Sequence, residues 1–404
     1  MAQLIMNRDD QRLWLDGRRY TPEEIRRWTG DSDRTLSAEK RELFTFLQRW
    51  FDDSEKLTVQ TSGSTGTPKR YEVRKDRMIE SACMTCTFLN LQPGESALLC
   101  MNLRYIGAMM MVVRALVAGL HLTVRPASGS PLEHVDEPID FAAMVPLQVY
   151  TSLNQPETKA RLSRIGRLII GGGAISRDLE AQLRLLPHPI YSTYGMTETL
   201  SHIALRRING PEADAYYRPF AGVTLSLSVD QALVINAPGL CDTPLQTNDV
   251  AELCADGRFR VIGRLDNVIN TGGIKVQIEV VEEQLRSLID RPFAITSIPD
   301  DRLGEAVVLL LAQSVDAAQS VSIAQSVSIA QSVDAANANS VANADSRAVN
   351  ADRADHLNNL MEQMKALLPL YHSPKCILLT DIIPLTDNGK VDRLACRKLA
   401  QELA

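Results

Sequence analysis

The stretch Thr61–Lys69 reads TSGSTGTPK, and it decides how the rest of the chain is interpreted. Gly63 and Gly66 permit backbone conformations closed to other residues and let the chain approach a bound anion closely. Hydroxyl side chains, backbone N–H groups and a terminal lysine complete the composition of a phosphate-binding loop. It is not the Walker loop, whose lysine follows a glycine directly. A flexible Ser/Gly linker would explain the small residues but not the closing Pro-Lys. The residues assigned to phosphate are Thr61, Ser62, Gly63, Ser64, Thr65, Gly66, Thr67 and Lys69.

The composition predicts a globular protein with more than one domain. The chain has 404 residues, of which 45% are hydrophobic and 23% charged, and a chain of this length usually divides into domains. A net charge of −6 and the lack of a basic stripe argue against nucleic-acid binding. The longest apolar stretch, Ile106–Leu120, is interrupted by Arg114 and is short for a membrane span. The seven scattered cysteines suit a reducing compartment, so a cytoplasmic protein is expected.

Apolar runs on both sides of the loop alternate between strand-like and helix-like patterns. This alternation predicts an α/β fold, in which a parallel sheet is covered by helices on both faces. The first 56 residues are predicted to be mostly helical, with helix starts after Thr21 and Ser37. The predicted strands are 56–60, 97–101, 120–124, 141–146 and 168–170, and the predicted helices are 74–91 and 106–118.

The second half of the chain contains a second predicted domain and an internal repeat. Gly272-Gly273 precede a strand and a helix, which marks the start of a small domain. Residues 312–335 repeat AQSV-type hexapeptides, and an Ala/Asn/Asp-rich stretch continues to about residue 355. The repeat lacks the glycine turns of a β-helix, which favours a flexible insertion or a weak helix without a catalytic role.

Four further stretches have features suited to binding a nucleotide. Gly171–Ala174 leave a buried strand and can lie against a ligand. In YSTYGMTE, Tyr194 offers an aromatic face and Glu198 a hard oxygen for Mg²⁺. Asp249 can accept two ribose hydroxyls. Each signal also has a structural explanation: a plain turn for the glycines, a helix cap for Thr197-Glu198, an ion pair for Asp249 and Arg264, and a solvated turn for Lys390.

Together these stretches resemble the adenylate-forming superfamily of acyl-CoA synthetases and peptide-synthetase adenylation domains. The resemblance rests on TSGSTGTPK, GGGA, YGMTET, the Asp of TND, GRLDNVINTGG and LTDNGKVDR, in that order, over roughly residues 57 to 404. It implies a large N-terminal domain over 1–265, here shortened because the loop stands at residue 61. It also implies a small mobile α+β domain over 266–404, which contains the insertion.

The resemblance also implies a reaction and a role for each matched residue. ATP activates a carboxylic acid as an acyl adenylate, Mg²⁺ assists, and CoA takes the acyl group as a thioester. The catalytic residues would be Lys390, Thr197 and Glu198, with Glu198 holding the metal. Asp266 falls at the family's hinge between domains. The remaining nucleotide-binding residues would be Gly171, Gly172, Gly173, Ala174, Tyr194, Gly195, Met196, Asp249 and Arg264.

The acid is expected to be o-succinylbenzoate, because the chain resembles most a compact form of the o-succinylbenzoate–CoA ligase branch of menaquinone synthesis. A diacid requires a cation or several donors to hold its unreacted carboxylate. Candidates are Arg104, Tyr105, Ser201 and His202, and ordinary packing is the alternative for them. Other acyl-CoA ligases, an enzyme that loads a carrier protein, and a non-catalytic nucleotide-binding relative stay open. So does the oligomeric state, with a homodimer as one option.

Overall fold

The computed structural model describes residues 3–29, 36–60, 70–313, 345–386 and 391–404. The chain divides into two units, Met1–Thr247 with Ala251–Arg260, and Asn248–Val250 with Val261–Ala404. The predicted domain boundary after residue 265 stays a prediction. The phosphate loop at 61–69, the turn 387–390 with Lys390, and most of the hexapeptide repeat lie outside the described residues.

The first unit is built from short strands and helices that alternate along the chain, as the sequence predicts. Its strands are β1 (Leu13–Leu15), β2 (Arg18–Tyr20), β3 (Lys56–Gln60), β4 (Arg70–Arg74), β5 (Ser96–Leu99), β6 (His121–Val124), β7 (Phe141–Met144), β8 (Arg167–Ile170), β9 (Ile190–Gly195), β10 (His202–Arg207), β11 (Arg218–Pro219), β12 (Thr224–Leu227) and β13 (Ala232–Asn236). Its helices are α1 (Pro22–Arg26), α2 (Ala38–Phe51), α3 (Lys75–Phe88), α4 (Ile106–Ala118), α5 (Pro146–Leu153), α6 (Pro156–Leu162) and α7 (Arg177–Leu183).

Within the described residues, nine of these strands form one mixed sheet, in the order β11-β10-β9-β8-β7-β5-β6-β1-β2. The central strands β9, β8, β7, β5 and β6 are parallel, and successive residues are buried in the three middle strands β8, β7 and β5. A strand buried on both sides needs cover on both faces of the sheet. Helices α5, α6 and α7 pack on it through Val149, Leu162 and Leu183, and α4 packs on β5 and β6. The predicted α/β class is confirmed.

The N-terminal segment departs from the mostly helical prediction. Helices α1 and α2 are present, with Thr21 forming a capping box with Glu24 and Ser37 capping α2. Between residues 13 and 20, however, the chain forms β1 and β2, and β1 extends the parallel part of the sheet beside β6. The prediction was wrong here because three-residue strands carry too little periodicity to compete with the flanking helical pattern.

The strand before the phosphate loop also pairs differently from a simple βα unit. β3 pairs antiparallel with β4 as a separate two-stranded hairpin, and Gln60 lies opposite Arg70. The predicted helix at 74–91 therefore begins one residue later, after β4, as α3. The nine residues 61–69 thus connect two paired strand ends.

The chain passes between its units within β14 (Leu245–Leu253) and β15 (Phe259–Arg264), which belong to a second sheet ordered β12-β13-β14-β15. The second unit continues with β16 (Val268–Thr271), β17 (Ile274–Gln277), α8 (Ile278–Leu285), β18 (Phe293–Asp300), β19 (Gly304–Ala312), α9 (Asp345–Leu367), β20 (Ile377–Thr380) and α10 (Arg393–Leu403). Its described strands form a sheet in the order β17-β16-β19-β18, with β20 parallel to β19. This unit is α+β, as predicted.

Candidate active site

The glycine triplet lies at the carboxyl edge of the parallel strands. β8 and β9 pair with Ile170 opposite Ser192, so Gly171 and Thr193 follow as neighbours. A Cβ atom at Gly171 would lie 2.3 Å from the Thr193 hydroxyl oxygen, which excludes a larger side chain there. Gly172 has a φ of +79°, the left-handed region that favours glycine. The fold thus leaves bare backbone beside the end of β9, where a flat ligand can lie.

Tyr194 is held at this edge by other aromatic rings. β9 continues through Tyr194 and Gly195 instead of ending at Thr193 as predicted. The Tyr194 ring meets Phe259 edge-on at 5.0 Å and Tyr217 at 5.8 Å, and those two rings stack on each other. Such contacts restrict the orientation of the ring. Tyr194 is therefore a partly buried ring held in place at the end of β9, one residue after Thr193, which lies against Gly171.

A short 3-10 helix, Thr197–Thr199, presents Thr197 and Glu198. The buried Thr199 hydroxyl accepts the Met196 N–H at 3.0 Å and can donate to the Ser201 carbonyl at 2.7 Å. Leu200 follows with a φ of +65°, a strained value for leucine. The Cys241 thiol donates to the Glu198 carbonyl oxygen at 3.5 Å. These contacts fix the turn, and the Glu198 carboxylate remains exposed beside the half-buried Thr197.

Gly195 brings the start of β10 against the end of β9. A Cβ atom at this position would lie 2.3 Å from the Ser201 carbonyl oxygen and 2.4 Å from the His202 Cα. The pairing of β9 with β10 shifts register between His202 and Ala204. Glycine is required here because the two backbones approach more closely than a side chain permits. This close approach places Ser201 and His202 directly behind the Glu198 turn.

Ser201 and His202 belong to a buried polar network that contains Arg114. Arg114 projects from α4 and is 2% exposed. Its Nη2 donates to the Ser201 hydroxyl at 2.5 Å, and that oxygen lies 3.3 Å from His202 Nδ1. His202 Nε2 lies 3.1 Å from the Thr85 hydroxyl, which donates to the Ser81 carbonyl. Because the Thr85 hydroxyl donates to Ser81, its oxygen accepts from His202, so Nε2 carries the imidazole proton. The Ser201 hydroxyl accepts from Arg114 and donates to the unprotonated Nδ1.

The charges of the network are set by burial. Desolvation, together with the Arg114 charge, holds the pKa of His202 well below 6.5, so the imidazole is neutral. Desolvation lowers the pKa of Arg114 to about 10, at which it is still a cation at neutral pH. Among the described residues, no carboxylate forms a salt bridge with Arg114, and its Nε has no hydrogen-bond partner. A buried cation that has no counter-ion and an unused N–H donor leaves part of its desolvation cost uncompensated.

Arg114 was not among the residues predicted from the sequence, although it interrupts the apolar stretch Ile106–Leu120. A single arginine in IGAMMMVVRALVA was the available signal, since a buried charge needs a reason. The predicted candidates Arg104 and Tyr105 lie instead at the exposed start of α4, with Tyr105 in the N-cap position. The structure therefore joins Ser201 and His202 to Arg114 and leaves Arg104 and Tyr105 at a separate place.

In the second unit, Asp249, Arg264 and Asp266 form one cluster. The Arg264 Nε and Nη2 each donate to Asp266 at 2.8 Å, and its Nη1 lies 3.3 Å from Asp249. The hydrogen bonds from Arg264 hold the pKa of Asp266 below its usual range. Gln277 donates to the Arg264 carbonyl at 2.8 Å. The structural ion pair that the sequence left open for Asp249 and Arg264 is present, and their ligand roles stay predictions.

Two predicted functional segments lie outside the described residues, but their flanks are described. Residues 61–69 join the paired ends of β3 and β4. Lys390 lies between Leu385 and Val391, which form an isolated β-bridge, and Asp392 N–H donates to the Pro384 carbonyl at 2.9 Å. Asp392 also caps α10. The described residues on either side of 387–390 therefore lie next to each other.

Within the described part of the chain, no group of three or more His, Cys, Asp or Glu side chains could hold a metal ion. A single exposed carboxylate such as Glu198 still fits Mg²⁺, since that ion is often bound by one or two carboxylates, waters and substrate phosphates. No described helix combines the length and the apolar character that crossing a membrane demands.

Comparison with known proteins matches this chain to a family. The AMP-binding enzyme family matches residues 50–262. A probable 2-succinylbenzoate–CoA ligase of Mycobacterium tuberculosis is 28% identical over 280 residues, which span 64% of this chain and 70% of that protein. The 2-succinylbenzoate–CoA ligase of Escherichia coli is 26% identical over 236 residues, which span 55% of this chain and only half of that protein.

Solved structures agree in fold. An acyl-CoA synthetase (AMP-forming)/AMP-acid ligase II-like protein from Dyadobacter fermentans superposes with a TM-score of 0.57 at 30% identity, covering 92% of this chain and 96% of that one. E. coli MenE with a bound analogue of OSB-AMS superposes with a TM-score of 0.62 at 20% identity, covering 85% of this chain and 69% of that one, and supports the fold alone. With its family match and the predicted motifs in order, this chain belongs to the AMP-binding enzyme family.

Proposed function

We propose that this protein is an AMP-forming acid–thiol ligase that joins an aromatic dicarboxylic acid of the o-succinylbenzoate type to CoA. The family match and the named relatives support the reaction class. The choice of a dicarboxylic acid rests on one observation, the buried Arg114 that has no carboxylate partner among the described residues.

In the first step, a carboxylate oxygen of the acid forms a bond to the α-phosphorus of ATP. The bond from that phosphorus to the bridging oxygen breaks, and its electrons leave with pyrophosphate. Gly171–Gly173 and Tyr194 frame the adenine, Asp249 accepts ribose hydroxyls with Arg264 beside it, and Thr197 donates to the α-phosphate. Lys390 and the 61–69 loop neutralise the remaining phosphate charge. Mg²⁺ bound at Glu198 would supply further positive charge.

The second carboxylate of the acid remains unreacted and must be held. Arg114 offers it a full positive charge and an unused Nε–H, and Ser201 is the partly exposed end of the network. Leu200, the residue before Ser201, lines the same cavity as Glu198. A carboxylate at Arg114 would complete the buried charge, and charge-assisted hydrogen bonds of this kind are the strong ones. A monocarboxylic fatty acid would leave the cation unpaired.

In the second step, the CoA thiol attacks the acyl carbon. A thioester forms, the bond to the AMP oxygen breaks, and the thiol proton is released. Asp266 stands at the expected hinge, where dihedral change would exchange Lys390 for the Gly272-Gly273 side. ATP, CoA and the acid are small cytoplasmic molecules, so the proposal places the reaction in the cytoplasm.

The test is pyrophosphate release with o-succinylbenzoate, benzoate and a fatty acid, each with and without CoA. We expect release with the diacid, and CoA-dependent thioester formation in the same mixture. A monoester that masks the unreacted carboxylate should be a poor substrate of the wild-type protein. The Arg114→Met variant should lose the preference for the free diacid over this monoester, whereas Arg104→Met, its matched control at the exposed start of α4, should keep it.

Other outcomes separate the alternatives. Activity confined to fatty acids would refute the diacid assignment while leaving the ligase class intact. Adenylate formation without any transfer to CoA would indicate a carrier protein as the acceptor. No acid-dependent pyrophosphate release with any acid would overturn the enzymatic proposal.

A further inference from the structure

A cavity of about 310 Å³ lies in the first unit beside the Glu198 turn. It is bordered by the β3–β4 hairpin, the start of α3, the turn at 197–200 and the segment 240–242. Its lining includes three cations and three carboxylates: Lys56, Arg74, Arg77, Glu72, Glu198 and Asp242. Thr197 and Glu198 have proposed roles here, whereas Arg77 and Asp242 have none.

A chain of contacts fixes Arg77 beside Glu198. Segment 239–242 packs closely on α3, since a Cβ atom at Gly239 would lie 2.9 Å from the Glu80 Cγ. Asp242 in this segment forms an ion pair with the Arg77 guanidinium. Its neighbour Cys241 donates to the Glu198 carbonyl. Arg77 and the Glu198 turn therefore border one space and are held by one short segment.

The two partners of this ion pair differ in exposure. The Arg77 side chain is 22% exposed, whereas that of Asp242 is 82% exposed. Asp242 can turn into water at little cost, because ion pairs to exposed carboxylates are weak. Arg77 cannot follow it, since most of its side chain is covered. An incoming anion in the cavity could therefore take the place of Asp242 without moving Arg77.

We propose that Arg77 binds the pyrophosphoryl part of ATP in this cavity and that Asp242 is its competing internal anion. Arg77 exchanges Asp242 for phosphate oxygens when ATP binds, and Asp242 returns when pyrophosphate leaves. The guanidinium fork suits this exchange, because it pairs with carboxylates and phosphates in the same geometry. The inference rests on the proposed function, since it assigns a binding site to the pyrophosphate that leaves in that reaction.

The experiment is acid-dependent ATP–pyrophosphate exchange, measured as a function of pyrophosphate concentration. Arg77→Gln should raise the KM for pyrophosphate about tenfold, the loss of roughly one charge-assisted hydrogen bond. Asp242→Asn should lower that KM, because it removes the competitor. Thioester formation from a supplied acyl adenylate and CoA should stay within about twofold of wild type, because no pyrophosphate takes part in it.

Arg161 and Asp136 provide a matched control. Their side chains form an ion pair of the same type on the first unit, with 18% and 83% exposure. Arg161 also donates to the Leu132 and Glu133 carbonyls, so Arg161→Gln should lower the thermal midpoint at least as much as Arg77→Gln does. Arg161→Gln and Asp136→Asn should both leave the KM for pyrophosphate at the wild-type value. A purely structural Arg77–Asp242 pair would behave like this control.

The inference is overturned if Arg77→Gln leaves the KM for pyrophosphate at the value of Arg161→Gln, or if Asp242→Asn does not lower it. Should Arg77→Gln fail to fold, Asp242→Asn decides alone. These failures differ from a failure of the proposed function, in which the wild-type protein itself would show no acid-dependent exchange.

Discussion

Two arginines of this protein occupy opposite environments. Arg114 is buried, donates a hydrogen bond to the Ser201 hydroxyl and lacks a carboxylate partner among the described residues, and desolvation lowers its pKa. Arg264 is half exposed and lies between two carboxylates, and the hydrogen bonds to Asp266 raise its pKa. One charge lacks a counter-ion within the described part of the protein, and the other is already neutralised.

This difference in pairing distinguishes an arginine suited to binding a ligand, Arg114, from one suited to the predicted hinge, Arg264. A buried cation that awaits an anion costs stability in the free protein and gains it when a ligand arrives. A paired, exposed cation contributes little to stability and can change partners during motion. We therefore assign ligand recognition to Arg114 and expect Arg264 and Asp266 to serve the predicted hinge.

The largest expected effect comes from Arg114→Met. Loss of about two charge-assisted hydrogen bonds, each worth roughly 1.5–3 kcal/mol, should lower kcat/KM for the diacid about 10²–10⁴-fold. The thermal midpoint should stay equal or rise, because a buried cation is replaced by an apolar side chain of similar length. Pyrophosphate release and thermal unfolding measure the two effects. A large loss of stability would show that Arg114 is structural.

Gly195→Ala should disrupt the network of Arg114, Ser201 and His202 by displacing the backbone, without removing a charge. The added methyl group would meet the Ser201 carbonyl and the His202 Cα, so β9 and β10 must separate. We expect a loss of about 2–3 kcal/mol in the free energy of unfolding, in the range of overpacking in well-packed sites. Chemical denaturation measures it, with Gly129→Ala as a control that has neither a positive φ nor a neighbour within 4 Å. Equal losses in both variants would contradict this account.

The third prediction concerns pH. His202 has a pKa of 6.5 when unfolded and well below that value when folded, so below pH 6.5 the unfolded chain binds a proton that the folded chain does not. This contribution to stability is therefore present above pH 6.5 and is lost as the pH falls, by up to about 1.4 kcal/mol per pH unit. His202→Gln should flatten the stability profile between pH 6.5 and 5, and an unchanged profile would refute the neutral imidazole.

The smallest effect on stability is expected at Arg264, beside the predicted hinge residue Asp266. Arg264→Gln should change the free energy of unfolding by less than about 1 kcal/mol, because the ion pairs that it removes are exposed. The same variant should raise the KM for ATP if Asp249 and Arg264 bind the ribose as predicted. Denaturation and initial rates with varied ATP test the two parts separately. A loss of stability as large as that of Gly195→Ala would remove the distinction between the two arginines.

Local features of the fold were predictable because neighbouring residues determine them. The spacing of apolar residues placed α4 at 106–118 with the observed bounds, and Thr21 and Ser37 begin helices as their capping preferences indicate. The very short β1 and β2 were not predicted, since their pairing with distant β6 decides their conformation. In the site, the sequence located Thr197, Glu198, Ser201 and His202, but it did not reveal which arginine joins them.

By itself the sequence determined the order of the motifs, the α/β class and the set of residue types needed for nucleotide chemistry, all of which depend on patterns within a few positions. Only the tertiary structure determined which distant residues contact each other. Arg114 meets Ser201 across 87 positions of the chain, and Arg77 meets Asp242 across 165. Long-range contacts of this kind follow from how strands and helices pack, and burial then determines which charges are left to be neutralised by a ligand.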